Sequence, residues 1–144
     1  MMRFERGQPA PADNEAISQT LHDGSSSCTG LSDWTVETAD GGEAEVGRGY
    51  DTARRFNYYT FNLKRSTKEM MGLLYAVAQA GDLVMVRMDN ASTICVSAEQ
   101  ERNLPPVMEN EPAPVVCQSA GELALLLERG LDDWMKWIDE VVRK

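Results

Sequence analysis

The chain has 144 residues, an apolar content of 42% and a net charge of −9 at pH 7. This length and composition suit one domain, residues 1–144, with an apolar core. The acidic balance argues against direct binding of nucleic acid or of an anionic membrane surface, since phosphate groups require clustered Lys and Arg.

The sequence also predicts the cellular location of the protein and the redox state of its cysteines. No apolar run follows the charges of residues 1–6, so no secretory signal is predicted, and no apolar segment reaches the length of a membrane span. Cys28, Cys95 and Cys117 are odd in number and form no CxxC pair. Reduced thiols in a cytoplasmic protein are therefore expected, with no disulfide, metal or cofactor.

The first thirty residues predict little regular structure. Residues 1–14 are expected to form a loose lead-in, and Asn14 is expected to cap a short helix that ends at Leu21. The sequence from 23 to 30 is rich in Gly and Ser, which favours a flexible loop.

Three strands are predicted next. Residues 34–38 and 43–46 are expected to form a hairpin around the Asp40-Gly41-Gly42 turn, and the glycines after residue 46 are expected to end it. Residues 56–63 alternate with aromatic side chains on both faces, which favours a central strand.

A long helix is predicted over residues 67–80. Ser66 and Glu69 have the spacing of a capping box, and Gly81 has the place of the left-handed residue that follows a helix. Residues 82–88 and 92–97 are expected to form a second hairpin.

The C-terminal third is expected to begin with an extended, acidic, proline-rich connection over residues 99–114. A short strand at 115–117 and helices at 119–129 and 131–143 follow, the first of which opens with a capping box. This order predicts an α+β fold. Its mostly antiparallel sheet is packed on one face by the long central helix, with two C-terminal helices.

Charge is distributed unevenly along the chain. Residues 31–47 carry five acids and no base, whereas residues 48–68 carry six bases and one acid. Single-sign surfaces steer association, so this pattern favours a protein partner recognised by charge. Alternatively, a basic strand beside an acidic strand neutralises it across the sheet.

Two further features have both a functional and a structural interpretation. His22, Asp23 and Cys28 are the residue types of a nucleophilic site, although a polar loop explains them as well. Trp137 lies at the edge of the apolar stripe of the last helix, where it either covers the core or anchors an interface.

In size, acidity, α+β pattern and lack of a catalytic signature, the chain resembles small acidic bacterial toxin-immunity proteins. The resemblance implies a protein that binds a basic toxin tightly and occludes its active site, as a monomer or dimer. The partner-binding residues expected on this basis are Glu37, Asp40, Glu43, Glu45, Glu109, Glu111 and Trp137.

Three other functions stay open at this point. An acidic mimic of nucleic acid, which inhibits a nucleic-acid-binding complex, would use the same chemistry on a different target. A small enzyme would act through Cys28 and His22. A self-associating structural subunit would need neither a partner protein nor a catalytic group.

Overall fold

The computed structural model describes residues 1–30, 33–53, 56–87, 93–105 and 114–127. Its strands form a two-stranded, a four-stranded and a three-stranded sheet, in which all neighbours pair antiparallel except β8 and β9. The elements in chain order are β1 (Arg3–Glu5), β2 (Gln8–Ala10), α1 (Asn14–Gly24), β3 (Ser27–Thr29), β4 (Asp33–Glu37), β5 (Glu43–Tyr50), β6 (Asn57–Arg65), α2 (Lys68–Ala80), β7 (Met85–Val86), β8 (Thr93–Cys95), α3 (Ala98–Arg102), β9 (Val115–Val116) and α4 (residues 120–127).

The predicted α+β class with mostly antiparallel strands is confirmed. A single long helix over one sheet is not confirmed, because α1 shares the main core with α2 and the strands divide among three sheets. Among the described residues, no helix combines the length and the apolar character that a membrane span requires.

The N-terminal segment is a β-hairpin, so the predicted loose lead-in is wrong. Phe4 lies opposite Pro9 in the β1–β2 pair, and Arg6 and Gly7 both have positive φ at the turn. Phe4 is only 7% exposed and packs in a second, smaller core with Val84, Cys95 and Leu104. Three residues per strand are too few for alternation to be recognised in the sequence.

The four-stranded sheet has the order β3-β4-β5-β6, and its predicted central hairpin is confirmed as β4 and β5. Two predictions at its margins are wrong. Residues 27–29 form a strand that pairs with β4, not a loop, and β5 continues through its two glycines to Tyr50. In both places, pairing with a neighbouring strand overrides the local preference of Gly and Ser for turns.

Strand β6 is an edge of this sheet rather than its centre, which corrects another prediction. Main-chain pairing continues beyond it, because the Tyr59 amide donates to the Met1 carbonyl (2.9 Å). The Met2 amide donates in turn to the Val84 carbonyl (2.9 Å). The aromatic residue on the other side of β6, Tyr58, covers Gly49, where an added Cβ would lie 2.2 Å from the ring.

Both long helices begin one residue away from the predicted cap. The Asp13 carboxylate, not Asn14, accepts from the Ala16 amide (3.0 Å), and the Thr67 hydroxyl, not Ser66, accepts from the Met70 amide (3.2 Å). Asp and Thr are both good N-cap residues, so neighbouring candidates compete and sequence spacing alone does not choose between them.

Helix α2 ends in a Schellman motif whose left-handed residue is Asp82 (φ 52°), not Gly81. The Leu83 amide donates to the Ala78 carbonyl at 2.8 Å, as that motif requires. Gly81 instead allows α1 to pack closely against the end of α2, since a Cβ there would lie 2.6 Å from Ile17 Cδ1 of α1.

The main core is one cluster of buried side chains from α1, the four-stranded sheet and α2, joined by Met85 and Ile94 of the three-stranded sheet and Leu123 of α4. The inner positions of β4 and β5 alternate with exposed ones, so Trp34, Val36, Ala44 and Val46 are all buried. The largest fully buried members of the cluster include Tyr59, Ile17, Leu21, Met70, Val36, Val46 and Val77.

The predicted connection over residues 99–114 is wrong at its start, where α3 is capped by Ser97. The buried Gln100 carboxamide accepts from the Val96 amide (2.7 Å) and donates to Asp82 (3.0 Å), which fixes this short helix. The second predicted capping box is confirmed in its Ser119 half, since the Glu122 amide donates to Ser119 Oγ at 3.2 Å, whereas the Glu122 carboxylate accepts from the Gln118 amide (2.8 Å). Residues 106–113 and 128–144, with the predicted last helix, lie outside the described residues.

Candidate protein-binding surface

The side of the four-stranded sheet away from the core is called the outer face here. Because side chains alternate along a strand, every second residue of β4, β5 and β6 lies on it. Its members are Asp33, Thr35 and Glu37 of β4, Glu43, Glu45, Gly47 and Gly49 of β5, and Tyr58, Thr60, Asn62 and Lys64 of β6.

Glu37 and Glu43 lie directly opposite each other on the outer face. Like charges in direct cross-strand register destabilise a hairpin. Arg65 relieves part of this repulsion, since its Nη2 lies 2.7 Å from Glu43 Oε2. Glu45 has a looser partner, with Lys64 Nζ at 3.8 Å from its Oε2.

The basic strand therefore neutralises the acidic hairpin only in part. The Lys64–Glu45 pair is solvent-exposed, with side-chain exposures of 45% and 59%, and exposed pairs contribute little to stability. In the Arg65–Glu43 pair the arginine is exposed and the glutamate is half-buried. The side-chain carboxylates of Asp33 and Glu37 have no hydrogen-bond or ion-pair partner among the described residues. The outer face is left with an excess of negative charge toward solvent.

Asp40 has a structural task at the hairpin turn. Its Oδ1 accepts from the hydroxyls of Thr67 (2.6 Å) and Thr38 (2.7 Å), and its Oδ2 accepts from the Glu69 amide (3.0 Å). The hydrogen bond from Thr67, supported by those from Glu69, Thr38 and Gly42, lowers the Asp40 pKa from 3.8 to about 2. Asp40 thus ties the turn to the first turn of α2, where the helix dipole also favours a carboxylate.

This bonding predicts an acid-dependent loss of stability. A folded-state pKa below the unfolded value stabilises the fold above pH 3.8, and that contribution disappears as the pH falls toward 2. We expect Asp40→Asn to lower the melting temperature at neutral pH. The difference from wild type should shrink between pH 4 and pH 2, as measured by circular dichroism. A difference that stays constant across this window would contradict the assignment, and Glu15→Gln is the control.

The structure thus separates the seven predicted partner-binding residues. Glu37, Glu43 and Glu45 share the outer face, while Asp40 is bound into the turn. Glu109, Glu111 and Trp137 lie outside the described residues. Asp33 lies beside these acids on the outer face but is not among the predicted residues, although its alternation with Glu37 in the strand pattern is a signal for it.

The residues of the possible nucleophilic site do not form one in the described structure. Cys28 lies on β3 with its side chain half-buried against the core, and burial raises the pKa of its thiol. A raised pKa disfavours the reactive thiolate. His22 is exposed on α1, and the Asp23 carboxylate accepts from Gln19 (2.8 Å). Within the described ranges, no three His, Cys, Asp or Glu side chains are grouped as metal ligands.

The three cysteines should differ in accessibility. Cys95 and Cys117 are fully buried, and burial raises the Cys95 pKa to about 11, whereas Cys28 is half-buried. We expect a disulfide reagent to modify one thiol of the native protein, and Cys28→Ser to abolish that reaction. Reaction of all three thiols at similar rates without denaturant would show that β8 or β9 is placed wrongly.

Comparison with known proteins finds no family model that matches this chain. No curated protein and no solved structure is detectably similar to it either. The function is therefore argued from the geometry of the outer face and from the chemistry of its side chains.

Proposed function

We propose that this protein binds a basic protein toxin and neutralises it by covering the toxin's active site with the outer face. Such an immunity protein acts in the bacterial cytoplasm. The observation that supports the proposal is the direct opposition of Glu37 and Glu43. This pair costs stability in the free protein and gains it beside a cation, so it favours a surface adapted to a basic partner.

The described contacts refine which acids meet the partner. The carboxylates of Asp33 and Glu37 have no partner among the described residues, and that of Glu45 has only an exposed pair at 3.8 Å, so these three carboxylates are the proposed primary contacts. Asp40 acts indirectly, because it holds the turn against α2. Glu109 and Glu111 remain the proposed second contact, with Trp137 as an apolar anchor.

Affinity capture from the source cell tests this function if three baits are compared. The first bait is the wild type, and the second carries Glu37→Lys and Glu45→Lys. The third carries Glu15→Lys and Glu99→Lys, two exposed acids on α1 and α3. Each double reversal changes the net charge from −9 to −5, so the two variants are matched in charge.

A basic protein retained by the first and third baits but not by the second supports the proposal. Purified chain must also inhibit the activity of that protein at equal molar amounts. Equal capture by all three baits contradicts the outer face as the binding surface. Capture of a nucleic-acid-binding complex instead of a toxin would support the mimic interpretation.

A further inference from the structure

Arg48 is a cation on the inner side of the four-stranded sheet, where its strand neighbours Ala44 and Val46 are fully buried. It lies at the end of the sheet farthest from the acidic turn. The carbon of its guanidinium is 5.8 Å from the centroid of the Trp34 ring and 5.5 Å from that of Tyr50. These rings fix the position of the charged group and stabilise it by cation–π attraction.

The charge and hydrogen-bonding capacity of Arg48 are not fully satisfied. Its Nε atom is buried and has no hydrogen-bond partner among the described residues. No carboxylate of the described residues forms an ion pair with it. A partly buried cation without a counter-charge lowers the stability of the fold, so the presence of Arg48 at this position points to a function.

The groups behind Arg48 add donors rather than a negative charge. Burial raises the pKa of the Tyr59 hydroxyl, and nearby Arg48 opposes that rise; the hydroxyl donates to Asn14 Oδ1, which also accepts from Asn57. Asn14 is the first residue of α1, where unpaired amides give a partial positive charge. With Asn14 Oδ1 used twice, its amide nitrogen is left as a donor.

We propose that Arg48 binds an oxyanion, the carboxylate or phosphoryl group of a small ligand, at this end of β5. The unpartnered Nε and an adjacent Nη form the side of the guanidinium that binds two oxygens at once. The Nε has almost no exposed surface in the free protein, so the Tyr50 ring, which is 43% exposed, must turn aside to admit the anion. The site is on the inner side of the sheet and is independent of binding at the outer face.

Titration of wild-type protein with inorganic phosphate or acetate, against chloride at equal ionic strength, tests this site. The readout is the 15N–1H signal of Arg48 Nε. We expect it to move saturably with at least one of the two oxyanions, and the arm with the lower apparent Kd identifies the preferred group. Arg48→Lys should raise that Kd at least tenfold, whereas Arg102→Met, a change at an exposed arginine of α3, should leave it unchanged.

Thermal stability gives a second readout, in which the stability ranking of wild type and Arg48→Met is expected to reverse between buffers. In chloride we expect Arg48→Met to be at least as stable as wild type, because it removes an unpaired charge. In saturating oxyanion it should be less stable, since bound ligand stabilises only the wild type. An Nε signal unaffected by either oxyanion, or the same stability ranking in all buffers, would overturn the proposal. If Arg48→Met does not fold, the wild-type titration alone decides.

Discussion

Reversal of Glu37 and Glu45 to Lys will weaken binding of the basic partner by about tenfold to a hundredfold. Each exposed interface charge contributes on the order of 1 kcal/mol, and about 1.4 kcal/mol corresponds to one decade of affinity. The loss should fall mainly on the association rate, because exposed charges steer the encounter of the two proteins. Surface plasmon resonance with the purified partner separates the two rates.

The dependence of the affinity on ionic strength tests whether charge drives this binding. Raising the ionic strength should weaken binding of wild type more than binding of the reversed variant, since screening removes only what charge supplied. The Glu15→Lys, Glu99→Lys control should bind like wild type. An affinity indifferent to both salt and reversal would refute recognition by charge, and an apolar anchor such as Trp137 would then be tested by Trp137→Ala.

Tyr59→Ala will lower the free energy of unfolding by about 3–5 kcal/mol, the usual cost of removing a buried aromatic ring. Tyr59 is fully buried and stacks on Trp34 with ring centroids 6.4 Å apart. Tyr59→Phe should cost less, about 1–2 kcal/mol, because it keeps the ring but removes the hydroxyl that bonds Asn14. Urea denaturation measures both losses.

Tyr58→Ala is the matched control, since Tyr58 is the preceding residue of β6 but 38% exposed on the outer face. We expect its loss to be less than half that of Tyr59→Ala. Similar losses for the two variants would mean that β6 is shifted by one residue, because a one-residue slip exchanges the inner and outer faces.

The part of the fold that follows from local pattern was predictable. Strict alternation in residues 33–37 gives both the buried Trp34 and Val36 and the exposed acids of the outer face. The strong turn at residues 40–42 fixes the hairpin that carries them. The grouping of Glu37, Glu43 and Glu45 therefore required no knowledge of the rest of the molecule.

The parts that depend on distant partners were not predictable. Asp40 is bound by Thr67 and Glu69, which are too far from it in sequence for any spacing rule to pair them. Sequence analysis therefore identifies the charge of Asp40 but not its structural role. Arg48 was counted only as one base of a basic strand. Its aromatic neighbours Trp34 and Tyr50 are brought to it by the β4–β5 register and by the continuation of β5 to Tyr50, neither of which local pattern predicts.

The pairing of Met1 with Tyr59, across 58 residues of sequence, imposes an order on biosynthesis. The residues that close the edge of β6 leave the ribosome long before β6 or Val84 does. The β1–β2 hairpin can form at once, but its neighbours Met1 and Met2 must wait for strand partners made later. During that interval the nascent chain exposes unpaired main-chain groups. Chaperones shield such groups, and nascent chains aggregate through them when they are left uncovered.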